Sequence, residues 1–213
     1  LKNTGYNIGG LYGPLMGGYA GGPAETAIVL IAHFFLGRLI FTAQWHHCFP
    51  LNIKYNINTT PEMLWIISLA SQAAARNTHL ITLQNSFLAS GPCTETIIYE
   101  LAAHGITSTV SGSNVNPAAP AQNKHPERAT GMEGRIEAEV SCAVAEMGLK
   151  RDEANDIVKR IIPKYINVID NPPLGKKFSE CYDIEKVKPR KEYVELYEKV
   201  RRELINLGIE FKN

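Results

Sequence analysis

The sequence predicts an α/β fold with a parallel sheet. Its four strand–helix units make half of a (β/α)8 TIM barrel or, alternatively, an open α/β sheet. Two observations lead there. Short apolar runs alternate with longer helical ones through the first 131 residues, and such alternation implies parallel strands joined by right-handed crossovers. Three helix starts also share a pattern: Pro23 with Glu25, Pro61 with Glu62, and Pro92 with Glu95. Proline suits a first helical turn because its missing N–H has no intrahelical partner there. A nearby carboxylate meets the positive end of the helix dipole.

Taken in order, residues 6–12 read as a short glycine-broken strand. The loop from Gly17 to Gly22 feeds a helix over residues 23–36. The run Leu39-Ile40-Phe41-Thr42-Ala43-Gln44 reads as a strand covered on both faces. A long connection leads to a helix over residues 61–76, with Leu64, Ile67 and Ser71 along one face. His79 to Leu83 reads as the third strand. Pro92 opens the next helix, which Gly105 is expected to cap after His104. Ile106 to Val110 is the fourth strand candidate. From Gly131 the chain turns helical, with Gly148 as a stop and a second helix ending or kinking at Pro163. The last helix, residues 190–207, sets Tyr193, Leu196, Tyr197, Val200, Leu204 and Leu207 on one face. Residues 1–131 are therefore expected to form the barrel half, and residues 132–213 a helical extension packed on it.

Composition narrows the class. The 213 residues are 45% hydrophobic and 20% charged with a net charge of +1, which is ordinary globular usage. No strong field points to nucleic acid or a membrane surface. The longest apolar run, residues 27–36, is too short to span a bilayer. Cys48, Cys93, Cys142 and Cys181 stand singly, with no C-x-x-C pair. Their spacing argues against a zinc knuckle or disulfide scaffold and for a reducing, cytoplasmic setting. Leu1-Lys2-Asn3-Thr4-Gly5 carries no signal-peptide pattern, and without an initiator Met the chain reads as the tail of a longer one.

Ligands of parallel α/β folds bind at the C-terminal ends of the strands. That rule selects residues 12–22, 44–48, 84–90 and 111–116. Gln44-Trp45-His46-His47-Cys48 is the densest stretch. On an extended segment His46 and His47 point to opposite faces, so only one can enter a pocket. Trp45 and His46, with Gln84 and Asn85, are taken as the pocket residues. Gln84 and Asn85 suit a small polar substrate, although such residues also cap turns. Gly17, Gly18, Gly21 and Gly22 either supply positive φ to a tight turn or offer N–H groups at a helix N-terminus to an anion. Their spacing is not a dinucleotide fingerprint. Cys93, placed in a first helical turn, is expected to have a lowered pKa or to be structural. A zinc enzyme using Cys93 or His46 is a third reading, but no metal site is expected.

Several motifs together resemble the monomethylamine methyltransferase family, in its C-terminal half. They are Gly17-Gly18-Tyr19-Ala20-Gly21-Gly22, Glu25-Thr26, Trp45-His46, Gly91-Pro92-Cys93-Thr94-Glu95, Thr130-Gly131-Met132-Glu133, Arg135, Glu139-Val140 and Gly175-Lys176. Glu180-Cys181-Tyr182-Asp183, Glu192-Tyr193 and Leu207-Gly208 continue the match. The resemblance implies the last four units of a (β/α)8 barrel and transfer of a methyl group from methylamine to the Co(I) of a corrinoid protein. It further implies a homo-oligomer and a corrinoid carried by the partner, not bound directly by this chain. Gly17, Gly18, Tyr19, Gly21 and Gly22 would face that cofactor. The family's pyrrolysine falls before Leu1, so no catalytic residue is assigned here. A pocket carboxylate of the family aligns at or near Leu11, and its glutamine partner at or near Asn85 beside Gln84. The rival expectation, motivated by Leu11, is a catalytically inactive barrel fragment that serves as a corrinoid-protein binding or assembly module.

Overall fold

The computed structural model describes residues 4–116 and 118–211. In chain order the elements are β1 (Gly9–Tyr12), β2 (Leu15–Met16), α1 (Pro23–Leu39), β3 (Trp45–Cys48), β4 (Leu51–Asn52), α2 (Pro61–Asn77), β5 (Ile81–Asn85), α3 (Glu95–Val110) and β6 (Asn114–Asn116). There follow α4 (Gly131–Met147), α5 (Arg151–Ile161), α6 (Phe178–Cys181), β7 (Tyr182–Asp183), β8 (Lys188–Pro189) and α7 (Lys191–Asn206). The main sheet has the order β1-β3-β5-β6, and every pair is parallel. Each sheet neighbour follows through a helical crossover, so the α/β class and the parallel sheet agree with the sequence reading. Strands β2 and β4 pair in parallel just beyond the ends of β1 and β3.

Register decides which side chains share a face. Leu11, His47, Leu83 and Asn114 align in one row, with Gly9, Trp45 and Ile81 in the row before and Asn85 beside Asn116 in the row after. The intervening residues Gly10, Tyr12, His46, Cys48, Thr82 and Gln84 are buried on the opposite face. Helices α1 and α2 cover that second face, forming a core of Tyr12, Leu30, Phe34, Cys48, Met63, Ile66 and Ala70. The first face is open: Leu11 is 65%, Ile81 55% and Trp45 38% exposed.

The largest core lies beside the sheet. Every residue of α3 from 97 to 108 is buried, because α2, α4, α5 and α7 all pack around it. This core runs continuously from Ile57 to Ile209, crossing residue 131 without a break. The amphipathic face expected for the last helix is real, with Tyr193, Tyr197, Val200 and Leu204 buried. Thr130 caps α4 by accepting from Met132 N at 3.1 Å. Glu133 answers the Thr130 N–H and also accepts from the Tyr193 hydroxyl, so the same carboxylate ties α4 to α7.

Four local expectations are corrected. Residues 39–44 are not a strand: α1 continues to Leu39 and β3 begins only at Trp45. Leu39, Ile40 and Phe41 are 78%, 64% and 61% exposed, so this apolar run is not covered on both faces. The third strand lies two residues later than expected, at Ile81–Asn85. Gly105 does not end α3, and residues 106–110 are its last turn and a half. Packing on all sides of α3 outweighs the β-branched residues' weak preference for strand. The fourth strand is Asn114–Asn116. Finally, Pro92 stands outside α3, whose N-cap is Thr94. Cys93 therefore lies before the helix, at φ 64°, and burial pushes its thiol up rather than down.

Candidate functional site

The C-terminal end of the open face carries a polar cluster. The Asn116 amide nitrogen donates to His47 Nε2 at 3.0 Å. An imidazole whose Nε2 accepts is neutral and carries its proton on Nδ1. Burial lowers the His47 pKa, with Asn85 pulling the other way. The Phe49 ring stands edge-on to His47 at 6.1 Å and stacks on Phe87 at 5.1 Å. The rim is thus a patch of neutral amide and imidazole groups against an aromatic wall, suited to a small ligand with N–H donors and an apolar end.

Buried polar groups behind this rim hold the end of β5 in place. Asn58 Nδ2 donates to the Asn85 carbonyl at 2.8 Å, and Asn58 Oδ1 accepts from Phe87 N at 2.8 Å. Glu100 on α3, fully buried, accepts from Thr59 Oγ1 at 2.6 Å, Ala89 N at 2.8 Å and Ser90 N at 2.9 Å. Burial pushes its carboxyl up, and these donors pull it back. Glu137 on α4 accepts from Ser86 Oγ at 2.9 Å and from His104 Nδ1 at 2.7 Å. The β5–α3 loop is therefore pinned from three sides before any ligand arrives.

The residues expected to line the pocket divide by face. Asn85 lies on the open face at the C-terminal rim. Trp45 lies on the same face at the opposite end, where its indole covers Gly9. His46 and Gln84 are corrected: both point into the helix layer. His46 Nδ1 is 3.3 Å from the Tyr12 hydroxyl, and Gln84 Nε2 donates to Ser71 on α2 at 3.0 Å. Parity along each strand forces this, since Trp45 and His47 share one face and His46 the other. His47 and Asn116 are the rim residues that the pocket assignment missed. The adjacent histidine pair was a signal for the first. Asn58 had none. For Glu100 a signal existed: between residues 96 and 123 it is the sole Asp, Glu, Lys or Arg, set in an apolar helical run.

The glycine loop follows β2 at the same rim. Three of its N–H groups are spent inside the loop: Gly17 N donates to Gly21 O at 2.7 Å, Gly18 N to Leu15 O at 3.1 Å and Gly21 N to Gly18 O at 3.1 Å. The Glu25 carboxylate lies against Gly22. With Gly17 and Gly21 at φ 81° and 75°, these bonds make the loop a tight turn. Tyr19 projects from the loop, 70% exposed. A shallow depression beside it is lined by Met16, Gly17, Gly18, Asn52 and Ile53. Among the described residues, no three His, Cys, Asp or Glu side chains converge to hold a metal ion, and no helix is long and apolar enough to cross a membrane.

Residues 5–209 match the family model described as monomethylamine methyltransferase MtmB. The chain belongs to the monomethylamine methyltransferase MtmB family. It is 35% identical over 199 residues to the monomethylamine methyltransferase MtmB of Methanosarcina mazei and to MtmB1 of Methanosarcina barkeri. In each case the match covers 93% of this chain and 43% of the relative, so the chain spans less than half the length of these relatives. Among solved structures, the Methanosarcina barkeri monomethylamine methyltransferase superposes with a TM-score of 0.93 at 33% identity, covering 99% of this chain and 46% of that one. The hydroxylamine complex of MtmB superposes with a TM-score of 0.92 at 34% identity. The likeness to MtmB thus extends from sequence to the fold over 99% of this chain.

Proposed function

We propose that this protein contributes the corrinoid-facing half of a methylamine:corrinoid methyltransferase. The observation that carries the reading is the MtmB-family match over residues 5–209. The four-stranded sheet would be half of a (β/α)8 barrel. Further strands would close over the open face, covering Leu11, Trp45 and Ile81 and satisfying the free edges of β1 and β6. Asn85, Asn116 and His47 would then line the floor of an enclosed pocket, where hydrogen bonds to an amine gain strength as water is excluded. The Phe49–Phe87 pair would hold its methyl end.

A Co(I) corrinoid on a partner protein would supply the nucleophile that takes the methyl group. The Gly17–Gly22 loop would receive that ring: its small residues leave an open depression, and exposed Tyr19 would contact the carrier. Homo-oligomer formation and a cytoplasmic site of action belong to the same reading. The test mixes the full chain with monomethylamine and a Co(I) corrinoid protein and follows the methyl-Co(III) spectrum. No methylation with any methylamine would sink the enzymatic reading.

Leu11 favours a second reading. It stands on the open face, in register with His47, where the family resemblance places a carboxylate. An inactive barrel fragment that binds the corrinoid protein would show carrier binding without methyl transfer.

A further inference from the structure

We propose that His47 is a positioning residue. It turns the Asn116 amide so that oxygen, not nitrogen, meets the ligand, making the rim selective for a small N–H-donating cation such as methylammonium. The proposal rests on the amine reading above and assigns its specificity to two residues.

Asn116 lies on β6 and His47 on β3, with β5 between them. Asn116 is level with Asn85, and His47 with Leu83, so the two side chains meet over β5. Their contact is nitrogen to nitrogen, at 3.0 Å. An amide NH₂ only donates, so the ring nitrogen accepts and the imidazole is neutral. With its nitrogen committed, the amide has Oδ1 as its other end, an acceptor for ligand N–H groups.

Protonation of His47 would reverse the arrangement. An imidazolium Nε2–H repels the amide NH₂ and attracts the oxygen, so Asn116 would flip and offer its nitrogen to the ligand. Among the described residues, the groups set around His47 in the sheet are uncharged. Along its own chain segment it has Trp45 and Phe49 beside it, on β1 Leu11, on β5 Leu83 and Asn85, and on β6 Asn114 and Asn116. The titratable Tyr12, His46 and Cys48 lie on the opposite face. Burial favours the neutral ring, consistent with the observed pairing.

The experiment measures binding of methylammonium chloride to the full chain by calorimetry from about pH 5 to 8, a range in which an alkylammonium stays charged as a lysine does. Wild type is expected to lose about tenfold in affinity toward the acid end, the scale of one hydrogen bond to a charged group. His47→Gln, which cannot titrate, is expected to bind with no such pH dependence. Asn116→Ala is expected to bind about tenfold more weakly than wild type at pH 8. Urea midpoints at both pH extremes establish that each protein is folded. A flat wild-type profile, wild-type affinity in Asn116→Ala, or no binding at all would overturn the proposal. The activity reading fails separately: pH-dependent binding without methyl transfer to a Co(I) corrinoid protein leaves the Asn116 assignment standing. Methyl transfer accompanied by pH-independent binding overturns that assignment alone.

Discussion

The Tyr12 hydroxyl stands 3.3 Å from Nδ1 of His46, and the two rings stack at 5.8 Å. The pair joins β1 to β3 beneath α1. Gly37 on α1 makes room for it: a Cβ there would fall 1.5 Å from the Tyr12 hydroxyl oxygen. Gly37→Ala therefore forces Tyr12 off His46. Overpacking of this kind costs about 1–3 kcal/mol, against about 1 kcal/mol gained from alanine's better helix propensity. A net loss is expected in urea unfolding. Equal or higher stability would show that Tyr12 repacks without penalty.

Acid should weaken the fold through its buried histidines. Burial lowers the pKa of His46, with Arg38 adding to the effect, and burial also lowers those of His33 and His47. Each ring prefers to be neutral in the folded state. Above an unfolded value of about 6.5 neither state takes up protons, and stability is flat with respect to these groups. As pH falls from there toward the lower folded values, the unfolded chain binds protons that the folded chain refuses, and stability drops. Melting temperatures measured between about pH 7.5 and 5 should decline with a slope that His46→Phe reduces. Parallel profiles for the two proteins would refute this account of His46.

Asn58, fully buried, is expected to contribute more than an ordinary loop residue. Replacing it by alanine removes two buried hydrogen bonds, one donated to the Asn85 carbonyl and one accepted from the Phe87 N–H. Leaving the buried Phe87 N–H without this acceptor costs about 1–3 kcal/mol. Hydrogen exchange at Phe87 offers a local readout, and protection there should fall in Asn58→Ala more than protection in α4 does. Uniform loss across both would mean that Asn58 acts globally.

Glu100→Gln tests the buried carboxylate. The carboxylate accepts from two backbone N–H groups and one hydroxyl, and glutamine must set an NH₂ against at least one of those donors. Destabilisation of about 1–3 kcal/mol is expected, seen as a lowered denaturation midpoint at unchanged m-value. A neutral result would mean that the carboxyl is already protonated in the fold.

Leu11→Glu probes the second functional reading. Leu11 is 65% exposed in this chain, so the change should shift stability by no more than about 0.5 kcal/mol. If the row shared with His47 faces the amine, a carboxylate there should raise methyl transfer about tenfold or more by stabilising positive nitrogen. An unchanged rate would place Leu11 outside the reacting zone.

Much of this was legible in sequence order. The alternation of elements, the proline-led starts at Pro23 and Pro61, the Gly148 stop and the last amphipathic helix are local signals, set by backbone chemistry within a few residues. The family could also be recognised, because motifs such as Gly91-Pro92 and Gly175-Lys176 hold their order. Their meaning could not: Gly91 N donates to Pro173 O at 2.8 Å and Lys176 N to Pro92 O at 2.9 Å, a contact that only folding makes. A Cβ at Gly91 would lie 1.8 Å from the Leu174 carbonyl oxygen.

The sequence by itself determined the α/β class, the parallel sheet and the kinship with MtmB, since these follow from periodicity and ordered motifs. Tertiary structure alone decided that residues 106–110 are helix, because α3 is packed on all sides. It also decided which of two adjacent histidines meets the rim. A strand alternates its side chains with period two, so a boundary shift of one residue exchanges the faces. Where Trp45 begins β3 is settled by pairing with Gly9 and Ile81, far away in the chain, and that pairing sends His47 to the open face and His46 to the core.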